Sequence, residues 1–326
     1  MTLIRRQFLQ KLGGLSAVPL AARIAEAQSY PTRPVRIIGT TGPGGQGDIT
    51  ARLVAAKLTE TVGQPFYVEN MPGAGGNIAM AATARAAPDG YTILCATSNI
   101  VTNISLYPKI SYDPYKDFEP VSLLCSSPHV LVLHPSVQAN SVNELVALAK
   151  ADPGKLTYAS AGRGTPAHLA GELLKVTFGI DITHVPYNGG GPGTAAAIAG
   201  HVTMSMSALP TAVTYARAGS LRALALFSSR RSAALPEVST MKEATGHDLP
   251  ADIVNGFVLP TGTPKPIVEL LHREVVKVMA MPDVREKLAS MGFDPVGSTP
   301  EEFTAWIRSE IPRWAKVIRD ANITMQ

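Results

Sequence analysis

Cysteine is scarce: Cys95 and Cys125 are the only two in 326 residues. Each sits in an apolar run, "YTILCATSN" and "PVSLLCSSPHVLVLHP". Their spacing suits neither a zinc site nor a redox pair, so they read as two buried thiols, with a disulfide between them left open. Aromatic residues are also few, with 8 Phe, 9 Tyr and 2 Trp. Without a basic patch interleaved with aromatics, the electrostatic footprint of a nucleic-acid binder is missing. No run of about 18 apolar residues free of charge occurs, which excludes a membrane-spanning helix on sequence grounds. The 7 histidines are scattered and form no H-E-x-x-H or comparable cluster, so no metal is expected. There is no G-x-S-x-G elbow, and Ser239-Thr240-Met241-Lys242 is an S-x-x-K without its S-D-N and K-T-G companions, so the hydrolase class fails.

What is present is an ordinary soluble composition, 45% hydrophobic and 17% charged, with 28 Gly and 26 Pro that follow no period. The length suits two domains with a large core. Residues 1–27 have a basic start, a mildly apolar middle and an A-x-A end at Ala25-Glu26-Ala27, which predicts a signal peptide cleaved after Ala27. Arg5-Arg6 followed by Gln7-Phe8-Leu9 resembles a twin-arginine export signal. Arg5, Arg6, Lys11 and Arg23 against Glu26 account for most of the chain's net charge of +4, so the basic character belongs to the signal. The remainder is expected in the periplasm, as a monomer.

Along that remainder the order strand, glycine turn, helix repeats, which predicts an α/β protein with mostly parallel sheets. "PVRIIGT" leads into glycines and a helix from Asp48; "QPFYVEN" leads into Pro72-Gly73-Ala74-Gly75-Gly76 and a helix from Asn77; "DGYTILCAT" is the third strand. Past Asp117, "FEPVSLL" and "HVLVLHP" read as strands, and "SVNELVALAKADPG" as a helix capped by Ser141. "KLTYASA" opens another such unit, with Thr165 as N-cap and Pro166 at the first helical position, and "ITHVPYNGGGPGTAAAIAG" a further one with Thr194 as cap. "NGFVLP" reads as a strand returning to the first domain, and the tail from Pro264 as helical, kinked at Pro312. The predicted architecture is a two-lobed clamshell of two α/β domains joined by two crossing segments. One lobe comprises residues 28–126 and 249–326, the other residues 127–248.

The glycine turns carry the functional question. Gly42-Pro43-Gly44-Gly45-Gln46-Gly47 is a literal G-x-G-x-x-G between a strand and a helix, and Glu69 closes the next strand as a ribose-binding acid would. An exported NAD(P)-dependent oxidoreductase is therefore one reading. Against it, Thr40-Thr41 separate the strand from the first glycine, and glycine turns open four helices shared between the two halves. Helix N-termini leave main-chain N–H groups unpaired and carry partial positive charge. Several facing one cleft would hold a small anion without lysine or arginine. Asp48 in the first turn reads as a cap or a ligand contact. His168 would face a ligand or a local carbonyl, and Tyr187 would stack on a ligand or pack within its lobe.

These loops, with "YPTRPVRII", "PGGQGDITAR", "GQPFYVENMPGAGGNI", "PDGYTILCATSN", "ASAGRGTPAHLAGELLK", "HVPYNGG" and "STPEEFTAWIRSE", strongly resemble the Bug (TctC-like) family of periplasmic solute receptors of tripartite tricarboxylate transporters. The resemblance runs along essentially the whole mature chain. It implies a type II-like periplasmic binding protein with no catalysis and no cofactor. The ligand would be a small carboxylate, a di- or tricarboxylic or an aromatic acid, delivered to membrane subunits, or else sensed for a signalling partner. By position it assigns ligand contacts to Thr41, Gly44, Gly45, Asp48, Gly75, Gly76, Ser98 and Asn99 in one lobe, and to Ser160, Gly162, Gly164, Thr165, His168, Tyr187 and Ser207 in the other. The chain departs from the family pattern where Thr41-Gly42 replace an aromatic and a proline, Asn188 a lysine and Ser207 an aspartate, and where "TAAAIAG" lacks an aspartate. These changes imply a roomier, less charged pocket.

Overall fold

Two β-sheets share the chain, which passes between them at Pro128 and again between residues 228 and 252. The computed structural model describes residues 30–323, so the predicted signal peptide lies outside the described residues. From Arg33 on, the chain forms one compact unit. It opens with β1 (Val35–Gly39), α1 (Gln46–Val62), β2 (Phe66–Asn70), α2 (Asn77–Ala84), β3 (Thr92–Thr97) and α3 (Asn99–Leu106). The strands are short and β-branched, and β1 is buried along nearly its whole length, as a strand covered on both faces must be. β4 (Phe118–Ser127) ends at Pro128, and β5 (His129–Leu133) begins the second sheet directly after it.

The second sheet continues through α4 (Val142–Ala151), β6 (Thr157–Ser160), α5 (Pro166–Phe178), β7 (Thr183–Pro186), α6 (Gly190–Ile198), β8 (Met204–Ala208), α7 (Leu209–Arg217) and β9 (Arg222–Phe227). After α8 (Met241–Thr245), β10 (Ile253–Pro260) returns to the first sheet. α9 (Lys265–Ala280), α10 (Pro282–Ser290), the two-residue β11 (Asp294–Pro295) and α11 (Pro300–Asp320) complete the chain. α11 runs unbroken through Pro312 and buries Phe303 and Trp314 against the core.

The sheets are mixed, which corrects the expectation of mostly parallel pairing. In the first, ordered β11-β4-β10-β3-β1-β2, β1 is parallel to β2 and β3, but β10 is antiparallel to both β3 and β4. In the second, ordered β7-β6-β8-β5-β9, β5 is antiparallel to β8 and β9. The strands that break the pattern, β5 and β10, are those entered by crossing from the other sheet. No helical crossover within their own sheet turns them parallel to their neighbours.

β10 also separates the two cysteines. Cys95 pairs with Phe257 and Cys125 with Asn255, so two interstrand spacings, roughly 10 Å, lie between them, beyond disulfide reach. Both thiols are free and buried. Burial pushes the Cys125 thiol up to about 11, so it stays protonated.

Two helix starts differ from expectation. α1 begins at Gln46 with Gly45 as N-cap, placing Asp48 at the third helical position. α6 begins at Gly190 because Gly189, at φ 116, turns the chain into the helix earlier than Thr194 would. Thr194 instead bonds Ser207 at 2.8 Å. Thr165 and Ser141 do cap their helices, accepting from the N–H of His168 and Glu144.

Candidate functional site

A cavity of about 470 Å³ lies between the two sheets, at the C-terminal ends of β1, β3, β6, β7 and β8 and the starts of β5 and β10. From the first sheet's side it is walled by the loop Thr41–Gln46, Thr97 and Asn99. From the second sheet's side it is walled by Ala161, Thr165–Ala167, Asn188–Gly191 and Thr211. His129, Met206, Ala208 and Ile253 also line it. The side-chain composition decides its chemistry, since no Lys, Arg, Asp or Glu is among the lining residues.

Positive potential comes instead from the backbone. Five helices begin at this wall: α1 at Gln46, α3 at Asn99, α5 at Pro166, α6 at Gly190 and α7 at Leu209. First-turn residues have no intrahelical carbonyl to bond, and the helix dipole concentrates partial positive charge there. Gln46, Asn99, Ala167, Gly190, Gly191 and Thr211 therefore bring first-turn N–H groups to one cavity. That is a site for negative charge.

Side chains in the first loop reinforce this. Thr41 Oγ1 and both amide atoms of Gln46 are buried yet make no hydrogen bond. Leaving such groups unsatisfied costs roughly 1–3 kcal/mol each, which a bound polar ligand would recover. The loop holds its shape through Asp48, whose carboxylate accepts from Gly44 N and Arg52 Nε, both at 2.8 Å. Gly45 N donates to Gly42 O at 3.0 Å. Glycine is needed at position 45, because a Cβ there would sit 2.9 Å from Thr41 Oγ1 and 3.0 Å from Gly42 O.

The second lobe's loop is closed on itself. Gly162 N donates to Ser160 Oγ at 3.1 Å, Gly164 N donates to His168 Nδ1 at 3.1 Å, and Thr165 Oγ1 donates to Gly162 O at 2.7 Å. Behind it, His168 stacks on His184 with ring centroids 4.0 Å apart, and His184 Nε2 pairs with Ser160 Oγ at 2.7 Å. Glu172 accepts from Tyr158 at 2.7 Å and from Lys175 at 3.1 Å. Burial depresses both histidines, His168 to about 4 and His184 to about 3, so both are neutral near pH 7.

Of the residues expected to contact a ligand, Thr41, Gly44, Gly45, Asn99 and Thr165 reach the cavity wall. Asp48, Ser160, Gly162, Gly164 and His168 lie behind it, bracing the two loops by the bonds just given. Gly75 and Gly76 are not on the wall: the Gly75 carbonyl stands behind it, accepting from the wall residue Asn99 (Nδ2, 2.6 Å) and from Asn103 Nδ2 at 2.9 Å. Ser98 Oγ accepts from Val254 N at 2.9 Å and donates to Asp252 O at 3.3 Å, tying α3 to the returning segment. Tyr187 packs against the second lobe's core. Ser207 bonds Thr194 and Ser205, whereas its neighbours Met206 and Ala208 line the cavity, because successive strand residues face opposite ways.

Sequence reasoning placed Gly42 and Asn188 beside the pocket as departures from the family pattern but missed Pro43, Gln46, Thr97, His129, Ala161, Pro166, Ala167, Gly189–Gly191, Met206, Ala208, Thr211 and Ile253 as lining residues. The glycine run 189–191 was the one available signal among them. A further cavity of about 460 Å³ lies near the starts of α9 and α11, lined by Glu119, Glu269 and Glu301 with Lys265 and His272. Its acidic wall suits no anion.

Comparison with known proteins agrees with this geometry. The model of the tripartite tricarboxylate transporter family receptors matches residues 50–323. The chain belongs to that family. The receptor is 36% identical over 322 residues to Protein BugT of Bordetella pertussis, covering 98% of this chain and 99% of that one. Its fold matches Rpa4515 of R. palustris, solved with adipate, at TM-score 0.83 and 34% identity, covering 91% and 100% of the two chains. It also matches MatC of Rhodopseudomonas palustris, solved with bound malate, at TM-score 0.79 and 32% identity, covering 89% and 100%. The receptor thus has the two-lobed α/β fold of periplasmic binding proteins. The family gives no support to a dinucleotide-dependent enzyme.

Proposed function

We propose that this receptor is a non-catalytic periplasmic protein that closes on a small carboxylate and hands it to the membrane subunits of a tripartite tricarboxylate transporter. The observation that carries the reading is the meeting of five helix N-termini from both sheets at one cavity whose wall has no charged side chain. The adipate and malate held by the two structural neighbours support a carboxylate as cargo. The lobes that close are residues 28–126 with 249–326, and residues 127–248. Carboxylate between them must bind the closed form better than the open one, since only differential affinity shifts that equilibrium. Residues 1–27 direct export as a twin-arginine signal and are removed after Ala27.

Ligand contacts fall to Thr41, Gly44, Gly45, Asn99 and Thr165, joined by Gln46 and the N–H groups of Ala167, Gly190 and Gly191. Thermal denaturation against a panel of carboxylates and NADP tests the function. A bound carboxylate at about 100 times Kd stabilises by about 2.7 kcal/mol and raises Tm. A rise with NADP alone would overturn the reading.

A further inference from the structure

His129 is 1% exposed and begins β5 directly after Pro128, where the chain first crosses between the sheets. Its Nδ1 lies 2.6 Å from the carbonyl oxygen of Ala251, on the segment that crosses back. A carbonyl can only accept, so Nδ1 carries the proton in that bond and the neutral ring's lone pair is on Nε2. His129 lines the cavity, and among the described residues Nε2 makes no hydrogen bond. Burial lowers the imidazole to about 4, which keeps it neutral near pH 7.

The surroundings fix what this acceptor would meet. His129 pairs directly with Ala208 across β5 and β8, and Met206 follows two residues along on the same face. Together with Ile253 they form an apolar floor with a single acceptor on it. A ligand ammonium there would find no carboxylate side chain to pair with, at a large desolvation cost. A second ligand carboxylate would bring its lone pairs against that of Nε2. A neutral hydroxyl satisfies both constraints.

We infer that His129 is a specificity-determining residue, and that the preferred cargo is a hydroxy acid whose carboxylate lies at the helix N-termini, whose apolar body covers Met206, Ala208 and Ile253, and whose hydroxyl donates to His129 Nε2. This rests on the carboxylate-receptor reading and narrows it. The residue acts on selectivity, not on holding the carboxylate.

Calorimetry with two matched sets tests it: 6-hydroxyhexanoate, hexanoate and adipate, then 4-hydroxybenzoate, benzoate and terephthalate. In at least one set the hydroxylated member binds about tenfold tighter than the other two, the worth of one well-made hydrogen bond. In His129→Phe that preference disappears, while the unhydroxylated monoacid keeps its affinity within about threefold. Should His129 serve only to tie the crossing segments through Ala251, the substitution would weaken all members alike. That outcome overturns the inference. In the unsubstituted protein the same contact is read by nitrogen NMR, as an upfield move of the His129 Nε2 resonance with the hydroxylated member only. No such move overturns the inference even if the variant fails to fold. Equal binding of hydroxylated and unhydroxylated acids, or tighter binding of a diacid, overturns it while leaving the receptor reading in place. If no carboxylate of a wider panel binds, both readings fall.

Discussion

The loops 41–46 and 162–165 look alike in sequence, each carrying glycines spaced by one residue between a strand and a helix, yet they are built for different tasks. In the first, Thr41 Oγ1 and the Gln46 amide are buried without partners. In the second, Ser160 and His168 accept from the N–H groups of Gly162 and Gly164, and Ser160 and Thr165 donate to the Gly162 carbonyl. The difference teaches that glycine amides are spent inside either turn, on Asp48 and the Gly42 carbonyl in the first loop, so the side chains around the glycines decide what a loop still offers a guest. One loop is left open for a guest, and the other is a rigid support that positions the start of α5.

Substitutions break this comparison in order of size. Gly45→Val forces the first loop apart, since its Cβ lies within 3.0 Å of Thr41 Oγ1 and Gly42 O, and it should cost at least about 100-fold in carboxylate affinity. Calorimetry reads this, with circular dichroism unchanged. Thr41→Val deletes one unpartnered hydroxyl and should cost about tenfold in affinity, with Tm unchanged or raised because a buried unsatisfied group is gone. Gly164→Ala acts oppositely: at φ 72 the new side chain strains the backbone by about 1 kcal/mol, lowering Tm, while affinity stays within about threefold. A loss of affinity equal to that of Gly45→Val would erase the distinction between the loops.

The smallest effect is on pH dependence. His168 and His184 have depressed pKa values in the folded protein, so above the unfolded value near 6.5 both states are neutral and stability is full. As pH falls from about 6.5 toward 4, the unfolded chain takes up protons first and stability is lost. His129, lowered to about 4 by burial, adds to the same loss, and Asp252, raised to about 6 chiefly by burial, offsets only part of it over much of that window, so stability still falls. His184→Asn should make the fall in Tm between about pH 6.5 and 4 shallower without abolishing it, because His168 and His129 still lose stability there, and an unchanged profile would show that His184 does not contribute.

How far the sequence could be read depended on the range of the interactions. Thr165 with Pro166, and Ser141, were legible as helix starts because capping is decided within four residues. Two lobes and their crossing segments were legible from strand order and from the family resemblance. The wall of the cavity was not. Asp48, readable as a cap or a ligand contact, spends its carboxylate on Gly44 and Arg52, a local role that its place in the first turn allowed but did not single out. Ser207 was chosen one residue away from the lining positions Met206 and Ala208, an error of strand parity. His129 depends on Ala251, 122 residues distant, a contact that only the two crossings create.

Amide NMR during titration with a bound carboxylate tests the central claim most directly. The resonances of Gln46, Asn99, Ala167, Gly190 and Gly191 should move together and saturate with one affinity, while those of Gly162 and Gly164 stay nearly fixed. Movement of Gly162 and Gly164 with the first group stationary would contradict the account.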